Sequence, residues 1–177
     1  MVKRNRSDGI PIKEVHEKII HALSNVITYS SCTSDKPLIV GLNEPVPYKF
    51  RIYAFNCSNP PGGRPIDEYK VVLNVGQDYG EIGNFDYSDG CLAIVLGYIN
   101  KYDVFVLWDT MKHINFAYNK NMQVKVDTIL NALAIPLSVQ ERRTKNGIET
   151  IIAARSSFLL EALLKRMEIL IFELATK

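Results

Sequence analysis

Cysteine is scarce in this chain: three in 177 residues, at Cys32, Cys57 and Cys91. They lie far apart and show neither Cys-x-x-Cys nor Cys/His ligand spacing, which excludes a zinc set and a disulfide framework and leaves reduced thiols in the cytoplasm as the plain reading. Net charge is also slight, at +2, so charge alone does not establish a polyanionic partner. No apolar run approaches the roughly 20 residues that span a bilayer, so no membrane association is expected. The charged start without an apolar region after it argues against secretion. Gly-rich phosphate loops, G-x-S-x-G elbows and H-E-x-x-H helices are missing as well. The chain is therefore expected to have no cofactor, no metal and no catalytic set. Internal repeats and long linkers are missing too, and one domain over residues 1–177 is expected.

What is present is a soluble globular composition, 47% hydrophobic and 23% charged. A chain of this length buries roughly 70% of its unfolded surface and needs no staple. Cations cluster at Lys3, Arg4 and Arg6 and again at Arg142, Arg143 and Lys145. Such clusters suit phosphate contacts, although a solvated basic patch has the same signature.

Between Ile10 and Ile27, Ile12, Val15, Ile19, Ile20, Leu23 and Val26 recur at helical spacing. His16 and His21, five apart, do not form a helical metal pair. Tyr29 to Pro37 reads as a polar loop. Tyr48 to Cys57 alternates as a strand, with Phe50, Ile52 and Ala54 on one side and Lys49, Arg51, Tyr53 and Phe55 on the other. The second face suits either ligand binding or an outer sheet surface. Asn59 to Lys70 is a stiff turn, with Pro60, Pro61, Pro65, Gly62 and Gly63 restricting or redirecting the backbone around Arg64. Arg64 either braces against Asp67 or Glu68 or projects as a fork for a phosphate or a guanine edge.

Tyr69 to Val75 follows as a strand, and the apolar runs Cys91–Ile99 and Val104–Trp108 read as a buried central hairpin. A helix is predicted over Asp127–Ala134, with Asp127 as its cap. Arg142 to Gly147 reads as a hairpin tip returning through Thr150–Ala154. A long helix then carries Leu159, Leu160, Leu163, Leu164, Met167, Leu170 and Ile171. The total is about seven strands, which predicts an α+β fold: a curved, mostly antiparallel sheet or open β-pseudobarrel flanked by N- and C-terminal helices.

The candidate chemistry is sparse. Glu68 and Lys70 have the E-x-K spacing of a metal-dependent nuclease, but an acidic companion is not obvious. Asn119, Lys120, Asn121 and Gln123 pair amides that can read base edges with an ammonium that suits phosphate. An amide-rich turn satisfying its own backbone is the other reading. Lys112 and His113 lie just before them. Tyr48, Tyr53, Trp108 and Tyr118 are candidates to stack on a base.

The segments Asn59–Lys70, Val104–Asp109, Phe116–Val124 and Glu149–Ala154 resemble the accessory domain of prokaryotic restriction and modification-dependent restriction systems. The resemblance covers about two thirds of the chain. It implies a non-catalytic DNA-binding domain, with sensing of a modified base as one form of that role, similar to the EcoRII effector or McrB N-terminal pseudobarrels. Rim loops of such folds grip duplex DNA, a role that would fall to Arg64, Lys112 to Asn121, and Arg142 to Lys145. The expected partners are double-stranded DNA and a nuclease or NTPase motor domain or subunit, with homodimerisation through the C-terminal helix. The alternatives are an endonuclease using Glu68 and Lys70, and a protein-interaction subunit using that helix.

Overall fold

The apolar spacing near the start forms helix α1, Ile12–Ala22, with Val15 and Ile19 buried. Its computed structural model describes residues 9–59 and 65–176. The helix is shorter than the spacing predicts, because the chain turns after Leu23 and enters strand β1, Ile27–Ser30. Tyr29 and Ser30, expected in a loop, are therefore in an edge strand. Periodicity missed this boundary because Val26 and Ile27 continue the apolar series beyond the helix.

Strands β2 (Leu38–Leu42), β3 (Tyr48–Asn56), β4 (Glu68–Leu73), β5 (Ile82–Gly83), β6 (Leu92–Ile99) and β7 (Val104–Trp108) follow. After them come β8 (Phe116–Ala117), β9 (Lys120–Lys125), the short helix α2 (Val126–Asn131), β10 (Ser138–Thr144), β11 (Gly147–Arg155) and helix α3 (Leu159–Ala175). The main sheet has the order β1-β2-β3-β6-β7-β11-β10. Every neighbouring pair is antiparallel except β3 and β6. It ends in β1 and β10 without closing, so the described residues form a large open sheet with flanking helices and no closed barrel.

Both faces of this sheet are covered. Helices α1 and α3 pack Val15, Ile19, Leu163 and Met167 against Phe50, Ile52, Leu96, Phe105 and Leu107. On the opposite face, the β4–β9 ribbon brings Val71, Leu73, Met122 and Val124 onto Val95, Val106, Trp108 and Ile151. Gly97 permits that approach: a Cβ there would stand 2.7 Å from a Val71 methyl and 2.9 Å from Cys57 Cβ. Two-layer burial explains why β6 and β7 read as continuous apolar runs.

The covering layer also corrects the expectation for β3. Its alternation is as predicted, but the face with Arg51, Tyr53 and Phe55 is roofed rather than open. Among the described residues about seven expected strands become eleven: β1 takes up part of the expected loop, and β5, β8 and β9 are made by second-layer pairings distant in sequence. Segment 116–124, read as an amide-rich stretch before a helix, is strand β8, a turn and strand β9. Asp127 lies in the first turn of α2, whose cap position is Lys125.

Candidate nucleic-acid interface

Three separated segments meet at one end of the sheet. The β10–β11 hairpin turns between Thr144 and Gly147, with Gly147 at φ 111°. Asn146 Nδ2 donates to the Lys112 carbonyl at 2.8 Å, tying the turn to the single helical turn Thr110–Lys112. Arg142 Nη1 donates to the Gln123 carbonyl at 3.2 Å, tying the hairpin to β9. The rim is thus set by hydrogen bonds between segments about 20 to 35 residues apart.

Strand pleat sorts the β9 side chains. Met122 and Val124 point into the core, and Lys120, two residues earlier, shares their face. Burial depresses the Lys120 ammonium pKa, with Lys145 and Arg142 adding repulsion and Glu149 opposing it. Asn121, on the outward face, accepts a bond from Lys70 Nζ at 3.3 Å. Asn119 takes a positive φ of 56° in the turn before β9 and is exposed. Lys145 is exposed at the tip, while Lys112 is engaged by Glu173 of α3 at 3.3 Å. Lys120, Lys145 and Arg142 therefore form one cationic group, with Lys112 and Asn119 beside it, while Lys70, Asn121 and Gln123 lie on the opposite, outward face of the β4–β9 ribbon.

Beneath the rim lies a buried charged network. Glu149, fully buried, accepts from the Asp109 backbone N–H at 3.1 Å and faces His113 Nε2 at 2.6 Å, with Arg142 Nε at 3.8 Å. Asp109 accepts from Met111 N at 2.9 Å and lies 3.9 Å from Arg166 Nη1. Arg166, from the buried face of α3, donates to the carbonyls of Leu107 and Thr150. Burial raises the Asp109 carboxyl pKa even though Arg166 opposes the shift. The rim is thus joined to α3 through charged side chains rather than apolar packing alone.

Four expected contact residues lie inside the fold. Arg51 is 8% exposed and donates to the carbonyls of Asp86 and Ser88, with the Asp86 and Asp89 carboxylates beside it. His113 is held by Glu149. Trp108, 1% exposed, donates from Nε1 to the Gln123 carbonyl and is part of the core beneath β9. Tyr53 is buried against Phe85, and its hydroxyl accepts from Asp86 N–H. In each case a partner distant in sequence draws the side chain inward, so these four do not form an outward face.

The others are dispersed or outside the described residues. Tyr48 is half-buried on the helix side, near Leu164 and Met167 of α3. Lys49 is exposed on β3, four strand positions from β10, or roughly 19 Å by strand spacing. Arg143 alternates with Arg142 and takes the opposite face of β10. Arg64 and the cluster Lys3, Arg4 and Arg6 lie outside the described residues. Glu68 is half-buried on β4, and no group of three His, Cys, Asp or Glu among the described residues is placed to hold a metal ion.

The sequence reading also missed residues. Tyr79 is 89% exposed and packs edge-on against Tyr118, with ring centres 5.9 Å apart. Its available signal was an aromatic between Gly76 and Gly80. Glu149 and Arg166 were missed because one resembles the polar start of a strand and the other an ordinary helix charge. Both occupy buried faces, Glu149 in register with Ile151 and Ala153, Arg166 with Ala162 and Leu163.

A family model described as methylase-associated X1 matches residues 48–163. The match runs from the start of β3 into α3 and includes the whole rim and its buried network except Arg166 and Glu173. No curated protein and no solved structure matches the chain.

Proposed function

The chain belongs to the methylase-associated X1 family, and from that premise we propose that it is a non-catalytic DNA-binding specificity domain of a restriction–modification system. The family description agrees with the restriction-and-modification setting implied by the resemblance. The carrying observation is the convergence of Lys120, Lys145 and Arg142. Burial first, and then repulsion from Lys145 and Arg142 partly offset by Glu149, depresses the Lys120 pKa, and a partner that supplies negative charge relieves that repulsion. A duplex supplies it as closely spaced phosphates. Asn119, in the turn before Lys120, borders the cations, and Asn121 and Gln123 on the outward face of β9 add groups able to read base edges. Tyr79 and Tyr118 provide an aromatic edge beside them. This reading needs a continuous rim and not an EcoRII- or McrB-type pseudobarrel.

The test is fluorescence anisotropy with unmodified, methylated and hydroxymethylated duplexes over a range of salt. Binding should weaken steeply as salt rises, and Lys120→Ala should weaken it in a protein that remains folded. Unchanged binding in folded Lys120→Ala and Lys145→Ala variants would count against this face.

A partner-binding role has one specific observation in its favour. Ile171, Phe172 and Leu174 near the end of α3 are more than half exposed. A second copy or a nuclease or motor subunit would cover them, and light scattering of wild type and Phe172→Glu distinguishes an assembling chain from a monomeric one.

A further inference from the structure

A cavity of about 320 Å³ lies between α1, the Lys36–Pro37 approach to β2, the end of β3 and the Asn74–Gly76 turn after β4. Its formation follows from strand register. β2 begins at Leu38 opposite Ile52, so Tyr53–Phe55 continue without a β2 partner. Asn56 then draws the chain before α1 alongside: its Nδ2 donates to the Ile10 carbonyl at 2.8 Å, and Ile10 N–H donates to its Oδ1 at 3.1 Å. The first turns of α1 thereby place Ile12 and His16 in the lining.

Two polar groups in that lining have fixed roles. His16 is 1% exposed, and its Nδ1 lies 2.8 Å from the Thr33 carbonyl. A carbonyl only accepts, so Nδ1 carries the hydrogen and Nε2 is an acceptor in the neutral ring. Burial, partly offset by that same carbonyl, lowers the His16 pKa and favours the neutral form. Nε2 has no hydrogen-bond partner among the described residues. Asn74 Oδ1 accepts from Gly76 N–H at 2.7 Å, which orients the amide and leaves Nδ2 as an unpartnered donor among the described residues. Phe55 and Pro37 supply flat apolar walls. Lys36 is exposed at the margin and forms no ion pair among the described residues.

This combination favours a flat heterocycle with both donor and acceptor positions and an attached anion. A hydrocarbon would displace water from Nε2 and Nδ2 without pairing either. A simple phosphate would not use the walls. We propose that the cavity binds a single nucleotide, its base between Phe55 and Pro37, its edge bonded to His16 Nε2 and Asn74 Nδ2, and its phosphate at Lys36. The volume falls within the range of small-molecule sites. Leu73, the residue before Asn74, pairs with Lys120 of the rim. The nucleotide can therefore be free or turned out of a duplex lying on that rim. The cavity proposal stands whether or not the rim binds a duplex.

The full chain is titrated with the four deoxynucleoside monophosphates, their nucleosides and inorganic phosphate, following the His16 imidazole by NMR and affinity by calorimetry. At least one monophosphate should shift the His16 ring signals. Lys36→Ala should weaken that monophosphate about tenfold without weakening its nucleoside, and Asn74→Ala should weaken both about tenfold. These positions are exposed or half-buried, so the test does not depend on a His16 variant folding.

A parallel arm uses 2-aminopurine duplexes. Brightening that Asn74→Ala abolishes assigns the nucleotide to a duplex, whereas monophosphate binding without brightening assigns it to the free pool; both support the site. If phosphate alone reproduces the His16 shift, or if neither the monophosphates nor the duplex gives its signal, the cavity proposal is overturned. Anisotropy of the same duplexes reads the rim separately: duplex binding with a silent cavity overturns only this proposal, and monophosphate binding without duplex binding overturns only the rim reading.

Discussion

His113 Nε2 lies 2.6 Å from Glu149 Oε1, with both side chains buried beneath the cationic rim. The pair joins the loop after β7 to β11, where Glu149 also accepts from the Asp109 backbone. A buried carboxylate is tolerated when its partners remain in place, and removing one side of such a pair typically costs about 3–5 kcal/mol. Glu149→Ala is expected to destabilise the protein on that scale in urea unfolding. A Glu149→Ala protein as stable as wild type would contradict the network. His113→Ala should also lose stability, while its folded fraction keeps duplex affinity, because His113 faces Glu149 and not the outer rim.

Arg51 gives a second separation of folding from binding. Its guanidinium bonds to carbonyls of the Asp86–Ser88 turn, with the carboxylates of Asp86 and Asp89 alongside. Arg51→Ala should lower stability by about 1.5–3 kcal/mol, the range for hydrogen bonds to charged groups. Duplex affinity of the folded variant should match wild type. A selective loss of affinity without a stability change would return Arg51 to the binding surface.

Asp109 makes stability depend on pH. Its pKa is raised on folding, chiefly by burial. The folded state therefore retains the proton after the unfolded chain has lost it, and this contribution is fully present below the unfolded pKa. It is lost as pH rises through the raised folded value. Asp109→Asn, which keeps an oxygen to accept from Met111 N–H, should gain stability relative to wild type as pH rises through that window. Chemical unfolding at several pH values checks the sign. A constant difference between the two proteins would contradict it.

Anions should stabilise the rim specifically. Lys120 is repelled by Lys145 and Arg142, so a short duplex or heparin should raise the melting temperature of wild type through binding to the folded state. Lys120→Ala together with Lys145→Ala should reduce that rise in differential scanning fluorimetry. An equal rise in the double variant would place anion binding elsewhere.

Local signals were legible where local structure is set by local sequence. The β6–β7 hairpin, the alternation of Phe50, Ile52 and Ala54, the turn at Asn146-Gly147 and the apolar faces of α1 and α3 followed from periodicity and turn chemistry. The covering layer was not legible, because β5 and β8 contribute two residues each and Lys70 meets Gln123 only through long-range pairing. The same limit governs the candidate site. Lys120, Arg142 and Lys145 were read as cations, but the partners that turn Arg51 and His113 inward, Asp86 and Glu149, lie 35 and 36 residues away. Composition gave no reason to connect them.

Duplex affinity measured against salt in wild type and in the Lys120→Ala, Lys145→Ala double variant decides whether the cationic rim holds a duplex. Each neutralised phosphate contributes about 0.9 to the magnitude of the slope of log affinity against log salt. Binding should be weaker, and the slope shallower by roughly 1 to 2, in a double variant with wild-type circular dichroism. An unchanged affinity and slope in that folded variant would contradict duplex binding by the rim.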